Sequence, residues 1–151
     1  MSRIEVAALD FPFQRSIAEA ELPEALVGPK AALLAADHII VIFPYRFKFM
    51  PTPLKAFFHQ IMGFRAAFWY VKGPLQESFK GRSARIIATM KVPVLFNRFY
   101  FFGGSDDIQR LKRDMLGVGI APIHVSLFGM INAANIRKRL EQMRELGTKA
   151  L

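Results

Sequence analysis

A chain of 151 residues, 52% of them hydrophobic, has the length of one domain with a sizeable core. The absence of cysteine excludes disulfides, thiolate metal sites and cysteine nucleophiles, and it fits a reducing compartment such as the cytoplasm. Residues 1–36 have three basic and five acidic side chains, whereas residues 37–151 have eighteen basic and seven acidic ones. The net charge of +9 therefore comes from the chain after residue 36, whose surface attracts anions such as nucleotide phosphates, nucleic acid or acidic headgroups.

The first half of the chain alternates short apolar runs with longer amphipathic segments. Residues 4–9 are predicted as a strand and residues 23–36 as a helix. Residues 39–43 are all apolar, which is typical of a strand buried on both faces. Thr52 and Pro53 suit the N-cap and first position of a helix. Its predicted apolar face is Leu54, Phe57, Phe58, Ile61 and Met62.

The second half repeats the same alternation. Residues 84–89 and 120–127 are predicted as strands, with a helix between them whose cap and first-turn acids lie in residues 105–107. A last helix is predicted over residues 133–146, with Ile136, Leu140 and Met143 inward. Four strand–helix units predict an α/β domain: a parallel sheet with helices on both faces, in three α/β/α layers.

Two loops follow the carboxyl ends of the predicted strands, where ligands bind in such sheets. The first is an aromatic run of residues 44–51, bracketed by prolines. The second is a long loop over residues 90–104 that contains several more aromatic side chains. Either loop could wall a flat ring system. The first could instead pack on its own helix, and the second could form a dimer contact.

Side-chain constellations of common enzymes are missing from the sequence. The three histidines, His38, His59 and His124, have no metal-ligand spacing, so no metal site is predicted. There is no Walker loop, nucleophile elbow or Gly-x-Gly-x-x-Gly motif. No recognition helix or RNA-binding signature supports a nucleic-acid partner, and no apolar run is long enough to span a membrane. An aromatic pocket without reactive side chains indicates chemistry borrowed from a cofactor.

The order of several short motifs resembles the flavodoxin-like NAD(P)H:quinone oxidoreductases. An Ala-Asp pair, Ala36-Asp37, precedes an apolar strand, a Pro-led aromatic loop and a Met-Pro pair, and then a Leu-Lys-x-aromatic-Phe helix start. The further matches are Lys80-Gly81-Arg82-Ser83-Ala84, Thr89, Leu116-Gly117, Gly119-Ile120 and Phe128-Gly129. Together they cover essentially the whole chain.

The resemblance implies an NAD(P)H dehydrogenase (quinone) that binds FAD or FMN and reduces quinones or similar electrophiles by two-electron hydride transfer. It implies that Pro44, Tyr45, Arg46 and Phe47 line the isoalloxazine, and that Thr89, Met90 and Lys91 hold its other polar edge. It also implies a homodimer with the site at the interface. Tyr100 is the candidate for the tyrosine with which some members assist hydride transfer.

The chain departs from that family at several positions. The tryptophan that is frequent in the family's aromatic loop is absent here, where Arg46-Phe47-Lys48 stands. The family's glycine pair after Thr89 is replaced by Met90-Lys91. The loop that contains Tyr100 has no histidine. A non-catalytic regulatory or interaction subunit, such as the ancillary proteins of potassium efflux systems, is therefore the alternative.

The N-terminus is the largest departure. The family's domain opens with a strand, a phosphate-binding loop and a helix, whereas residue 1 of this chain falls just before what matches the second strand. We therefore expect one shortened flavodoxin-like domain over residues 1–151, which binds flavin poorly or not at all and either dimerises or is unstable.

Overall fold

The computed structural model describes residues 1–13, 22–62, 79–95 and 106–148. Within these ranges the chain forms three strands, four α-helices and one short 3-10 helix, Val6–Ala8. The helices and strands in chain order are α1 (Glu24–Ala35), β1 (His38–Pro44), α2 (Thr52–Met62), β2 (Ser83–Thr89), α3 (Asp107–Gly117), β3 (Ile123–Phe128) and α4 (Ile136–Thr148).

The strands form one parallel sheet in the order β1-β2-β3. Ile39 lies opposite Ala84 in β2, and Ala84 lies opposite Ile123 in β3. The described part of the connection from β1 to β2 contains α2, and that from β2 to β3 contains α3, as parallel pairing requires. The predicted α/β class with a parallel sheet is confirmed.

One face of the sheet, here called the inner face, carries the main core. Alternate residues of β1, namely Ile39, Val41 and Phe43, are at most 5% exposed. They belong to the same buried cluster as the small residues of β2 and the apolar faces of α1, α2 and α3. The predicted apolar face of α2 is confirmed, since all five of its members are buried. Ile108, Leu111 and Met115 of α3 are buried as predicted.

The opposite face of β1, here called the open face, is exposed. Ile40 is 43% exposed and Ile42 is 61% exposed. The prediction that residues 39–43 form a strand buried on both faces is therefore wrong. An unbroken apolar run indicates burial on both faces only where helices cover both, and nothing in the described part of the chain covers this side of β1.

The N-terminal segment was predicted as a strand over residues 4–9, and this is also wrong. The chain instead forms the 3-10 helix Val6–Ala8, in which the amide of Ala8 donates to the carbonyl of Glu5 at 2.9 Å. This local bond replaces a strand ladder, while Ile4, Val6 and Leu9 still pack against the core. The following residues run along α2, where the side chain of Gln60 donates to the carbonyl of Pro12.

Helix α4 has the predicted amphipathic pattern but buries no residue. Ile136 is 45% exposed, Leu140 is 50% exposed and Met143 is half-buried, so their predicted inward position is wrong. The 3.6-residue period shows only that these side chains share a face. Whether another element covers that face depends on the rest of the fold.

Candidate functional site

Three loops meet at the carboxyl edge of the sheet. Pro44 at the end of β1 lies opposite Thr89 at the end of β2, and the amide of Tyr45 donates to the carbonyl of Thr89 at 2.8 Å. The amide of Met90 donates to the carbonyl of Phe128 at 2.8 Å. The predicted adjacency of the first two loops is confirmed for the described residues, and residues 96–104 of the second loop lie outside them.

The loop after β1 contains a tight turn that exposes two aromatic rings. The amide of Phe49 donates to the carbonyl of Arg46 at 2.8 Å, and the amide of Arg46 donates back at 3.2 Å. Phe47 (φ 51°) and Lys48 (φ 68°) both have positive φ, the pattern of a type I′ turn, which normally favours Asn or Gly. Phe47 is 69% exposed and Phe49 is 54% exposed. The turn therefore holds two aromatic side chains outward, next to the cations of Arg46 and Lys48.

A buried carboxylate at the start of α3 fixes this loop. Asp107 is 1% exposed, and its oxygens accept the amide of Met50 at 3.1 Å and the Nζ of Lys55 at 3.2 Å. The amide of Asp107 in turn donates to the carbonyl of Lys48 at 3.1 Å. Burying a carboxylate is costly unless it has hydrogen-bond and ion-pair partners, and Asp107 has both. The C-terminal side of the turn is thus joined to α3.

The side chain of Tyr45 points into the same junction. Its hydroxyl donates to Oδ1 of Asp106 at 2.6 Å, and that carboxylate also caps α3 by accepting the amides of Ile108 and Gln109. Burial, followed by the hydrogen bond and the negative charge of Asp106, raises the pKa of Tyr45 far above its ordinary value of 10. Tyr45 is 3% exposed and its hydroxyl keeps its proton at neutral pH, so it acts as a structural group rather than as an acid.

The loops after β2 and β3 touch each other through their backbones. The amide of Met130 donates to the carbonyl of Val92 at 3.1 Å, and the amide of Ile131 donates to the carbonyl of Met90 at 3.1 Å. Gly129 is required at this contact, because a Cβ there would lie 2.8 Å from Val92 O and from Val94 N. The result is a short, close-packed corner beside the loop after β1.

The predicted flavin-contacting residues are all brought to this edge, but they differ in accessibility. Pro44, Arg46, Phe47 and Lys91 are exposed, and Thr89 is half-buried with its hydroxyl 3.4 Å from the carbonyl of Phe43. Tyr45 and Met90 are buried. The backbone amides of Tyr45, Arg46 and Met90 already have acceptors within the chain.

Sequence reasoning missed the contacts that hold the site. Asp106 and Asp107 were predicted only as helix-terminal charges, and their bonds to Tyr45 and Lys55 join positions more than fifty residues apart. No local pattern marks such a pair. Tyr100, the predicted catalytic residue, lies outside the described residues, and its role stays a prediction.

No group of three or more His, Asp or Glu side chains in the described ranges could hold a metal ion. None of the helices in those ranges has the length and hydropathy needed to cross a membrane.

Several solved structures share this fold. The protein Smu.1420 from Streptococcus mutans UA159 is 25% identical with a TM-score of 0.65, over 82% of this chain and 65% of its own. A thermophilic tryptophan halogenase from Streptomycin violaceusniger is 13% identical (TM-score 0.61; 78% of this chain, 70% of its own). A protein from Klebsiella pneumoniae, named as a candidate quinone reductase, is 18% identical (TM-score 0.60; 77% of this chain, 50% of its own).

This chain thus spans about two thirds of the Streptococcus protein and half of the Klebsiella protein. No curated protein matches its sequence. A profile of proteins with the flavodoxin-like fold matches residues 5–146, which is nearly the whole chain. Together with the parallel sheet and its helices, this match shows that the chain belongs to the flavodoxin-like fold family.

Proposed function

We propose that this chain acts as a flavin-dependent NAD(P)H:quinone oxidoreductase, which passes a hydride from NAD(P)H through FMN or FAD to a quinone-like acceptor. The observation that carries this proposal is the hydrogen-bonded turn that exposes Phe47 beside Arg46, at the same sheet edge as Thr89 and Lys91. The fold family and the name of the Klebsiella protein support it.

The described residues fit the ring of a flavin better than its phosphate. Phe47 is an aromatic side chain that is 69% exposed, and Arg46 and Lys91 are exposed cations at the same edge. A phosphate normally binds to free backbone amides at a helix N-terminus. In the described ranges, the first amides of α3 are already bonded to Asp106, and the start of α4 is capped by reciprocal bonds between Asn132 and Asn135.

In this proposal the flavin supplies the hydride chemistry and the chain supplies position and charge. Phe47 would cover one side of the ring, and the hydroxyl of Thr89 would face its polar edge. Arg46 and Lys91 would attract the anionic nicotinamide cofactor. Tyr45, whose hydroxyl is bonded to Asp106, would act through the backbone of the loop rather than as a proton donor.

A flavin titration tests the proposal directly. Purified protein is titrated with FMN or FAD, followed by absorbance and fluorescence, and NAD(P)H is then added with a quinone. We expect weak flavin binding, bleaching by NAD(P)H and reoxidation by the quinone. If the chain neither binds flavin nor turns over NAD(P)H, the proposed oxidoreductase activity is wrong.

Two variants locate the flavin and one tests the predicted catalytic residue. Phe47→Ala should weaken flavin binding by about 1–3 kcal/mol, the scale of one aromatic contact. Ile136→Ala, also an exposed apolar side chain but on α4, should leave the affinity unchanged. Tyr100→Phe should slow turnover without changing flavin affinity. Equal affinity in Phe47→Ala and in the original chain would place the flavin elsewhere.

A non-catalytic interaction subunit is the second candidate. It is favoured by one observation, that the amides of Tyr45, Arg46 and Met90 are bonded within the chain rather than available to a ligand. A subunit of this kind would bind no flavin under any condition but would keep the same fold. The titration therefore separates the two candidates.

A further inference from the structure

The loops after β2 and β3 place several aliphatic side chains at one corner of the sheet's carboxyl edge. The two strands are parallel and end in register, so both loops leave the sheet at the same end. Residues 91–95 are all exposed, and among them Leu95 is 65% and Val92 41% exposed. Met130 in the other loop is 50% exposed. Residues 91–95 and Met130 are here called the corner surface.

The backbone of this corner holds its side chains outward. The amide of Met130 donates to the carbonyl of Val92 at 3.1 Å, and Gly129 packs directly against the backbone of Val92 and Val94. Met130 has a φ of 57°, a left-handed conformation that a methionine adopts only at a cost. The chain thus retains a strained residue whose side chain is half exposed and contributes little to the core. Strain of this kind is typical of positions kept for an interaction.

The corner surface is remote from the open edge of β1. The strand order is β1-β2-β3, and the two loops of the corner follow β2 and β3. A further strand beside β1 would extend the sheet on the opposite side from β3. The exposure of Met130 and of residues 91–95 therefore does not follow from the free edge of β1.

The carboxyl edge around this corner carries positive charge only. Residues 44–51, 90–95 and 128–140 contain no Asp or Glu. Their six basic residues are Arg46, Lys48, Lys91, Arg137, Lys138 and Arg139. The first turn of α4 lies against the corner, because Nη2 of Arg139 donates to the carbonyl of Gly129 at 3.1 Å. Exposed aliphatic side chains beside cations, without an acid among them, are typical of a surface that binds an anionic interface.

We propose that the corner surface docks this chain on an anionic lipid bilayer. Val92, Leu95 and Met130 enter the boundary between headgroups and acyl chains, where exposed apolar side chains are removed from water. Lys91 and the exposed cations of Arg137 and Lys138 contact the lipid phosphates. The net charge of +9 attracts the chain to such a surface before contact. The proposal does not rest on flavin binding or on enzyme activity.

The side chains of the corner favour a bilayer over a nucleic acid. Nucleic-acid surfaces without base specificity combine cations with aromatic rings on which bases stack. The corner surface offers aliphatic side chains, which provide no stacking platform. Asn132 and Asn135, the nearby amide side chains that could contact base edges, are occupied in capping α4, since each accepts the backbone amide of the other.

Co-sedimentation with vesicles tests the charge of the docking surface. The chain is mixed with vesicles of phosphatidylcholine and phosphatidylglycerol in equal amounts, or of phosphatidylcholine alone, at several salt concentrations. We expect binding to the anionic vesicles that weakens as salt rises. Lys91→Glu should weaken it by at least about fivefold, because a repulsion replaces an attraction at the headgroups. Lys80→Glu makes the same change of charge before the start of β2, at the other end of that strand, and should weaken binding by less than about twofold.

A second pair of variants tests the apolar contact. Leu95→Ser should weaken vesicle binding by at least about threefold. Leu140→Ser, which removes another half-exposed leucine from α4, should leave it unchanged. Circular dichroism checks that all four variants remain folded. The proposal is overturned by equal losses within either pair, by equal binding to neutral vesicles, or by no vesicle binding at all. A chain that ignores anionic vesicles but binds a double-stranded oligonucleotide also overturns it.

A fluorescent label tests the orientation. The chain has no cysteine, so Leu95→Cys introduces a single thiol for a dye whose emission shifts to the blue in an apolar environment. We expect that shift when anionic vesicles are added. The same dye on Lys80→Cys should keep its emission, because that end of β2 points away from the bilayer. An unchanged emission at residue 95, or equal shifts at the two positions, would overturn the docking orientation.

Discussion

The two faces of β1 show how differently one apolar strand can be used. Ile39, Val41 and Phe43 on the inner face are at most 5% exposed, whereas Ile40 and Ile42, their immediate neighbours, are 43% and 61% exposed. The inner face is packed against three helices, and the loop that follows it is joined to α3 through Asp106 and Asp107. Among the described residues, the buried core next to β1 therefore lies on one side of that strand, while its other side is exposed.

The strongest test of this difference replaces the same residue type on each face. Ile39→Ala should lower the free energy of unfolding by about 2–5 kcal/mol, since it leaves a cavity in the core. Ile42→Ala should lower it by less than about 1 kcal/mol when measured by urea denaturation at the lowest practicable protein concentration. Similar losses for the two variants would mean that the open face is covered in solution.

A second test removes the buried carboxylate of the inner side. Asp107→Ala leaves the amide of Met50 without its acceptor, and we expect a loss of about 1–3 kcal/mol in unfolding free energy. Glu141→Ala on the exposed helix α4 should change it by less than about 0.5 kcal/mol. Asp107→Asn, which keeps an acceptor, should fall between them. An Asp107→Ala variant with an unchanged free energy of unfolding would show that the loop does not depend on α3.

A third test uses the pH dependence of Tyr45. The raised pKa means that the folded chain keeps this proton above pH 10, where an unfolded tyrosine releases it. Its contribution to stability is complete below about pH 10 and is lost as the pH rises further. Tyr45→Phe should lower stability at neutral pH by about 1 kcal/mol and should flatten the alkaline decline. If the stability of Tyr45→Phe declines as steeply above pH 10 as that of the original chain, then other groups cause the decline.

The smallest expected effect concerns Asp114 on α3. Partial burial raises its pKa, although the charges of Arg113, His59 and Arg110 oppose the shift. The folded chain then holds the proton more tightly than the unfolded chain, so stability falls as the pH rises from about 4 through the folded pKa. Asp114→Asn should remove this fall and raise stability at pH 7 slightly, by less than about 0.5 kcal/mol. If Asp114→Asn is less stable than the original chain at pH 7, burial does not disfavour the charged form of Asp114.

Elements whose local pattern and packing agree could be predicted from the sequence. Helix α2 was predicted together with its buried face, because that face meets the core of the sheet. The segment around Val6 and the inward face of α4 were predicted wrongly, because a local pattern does not reveal whether a neighbouring strand or helix is present to receive it. The contact between the loops after β1 and β2 could be predicted, because the carboxyl ends of neighbouring parallel strands lie at the same edge of the sheet. The carboxylates that hold the first loop could not be found, since their partners are remote in sequence.

The turn at Phe47 and Lys48 offers a way to separate fold from chemistry. Two bulky residues with positive φ are strained, and the same backbone would be relaxed by Asn followed by Gly. Replacing the pair by Asn-Gly should therefore give a chain that is more stable than the original, yet lacks the exposed ring and one cation of the candidate site. Loss of function in a more stable protein cannot be attributed to misfolding. The Asn-Gly variant therefore serves as its own folding control. Such a control is available because stability and activity trade off at this one turn.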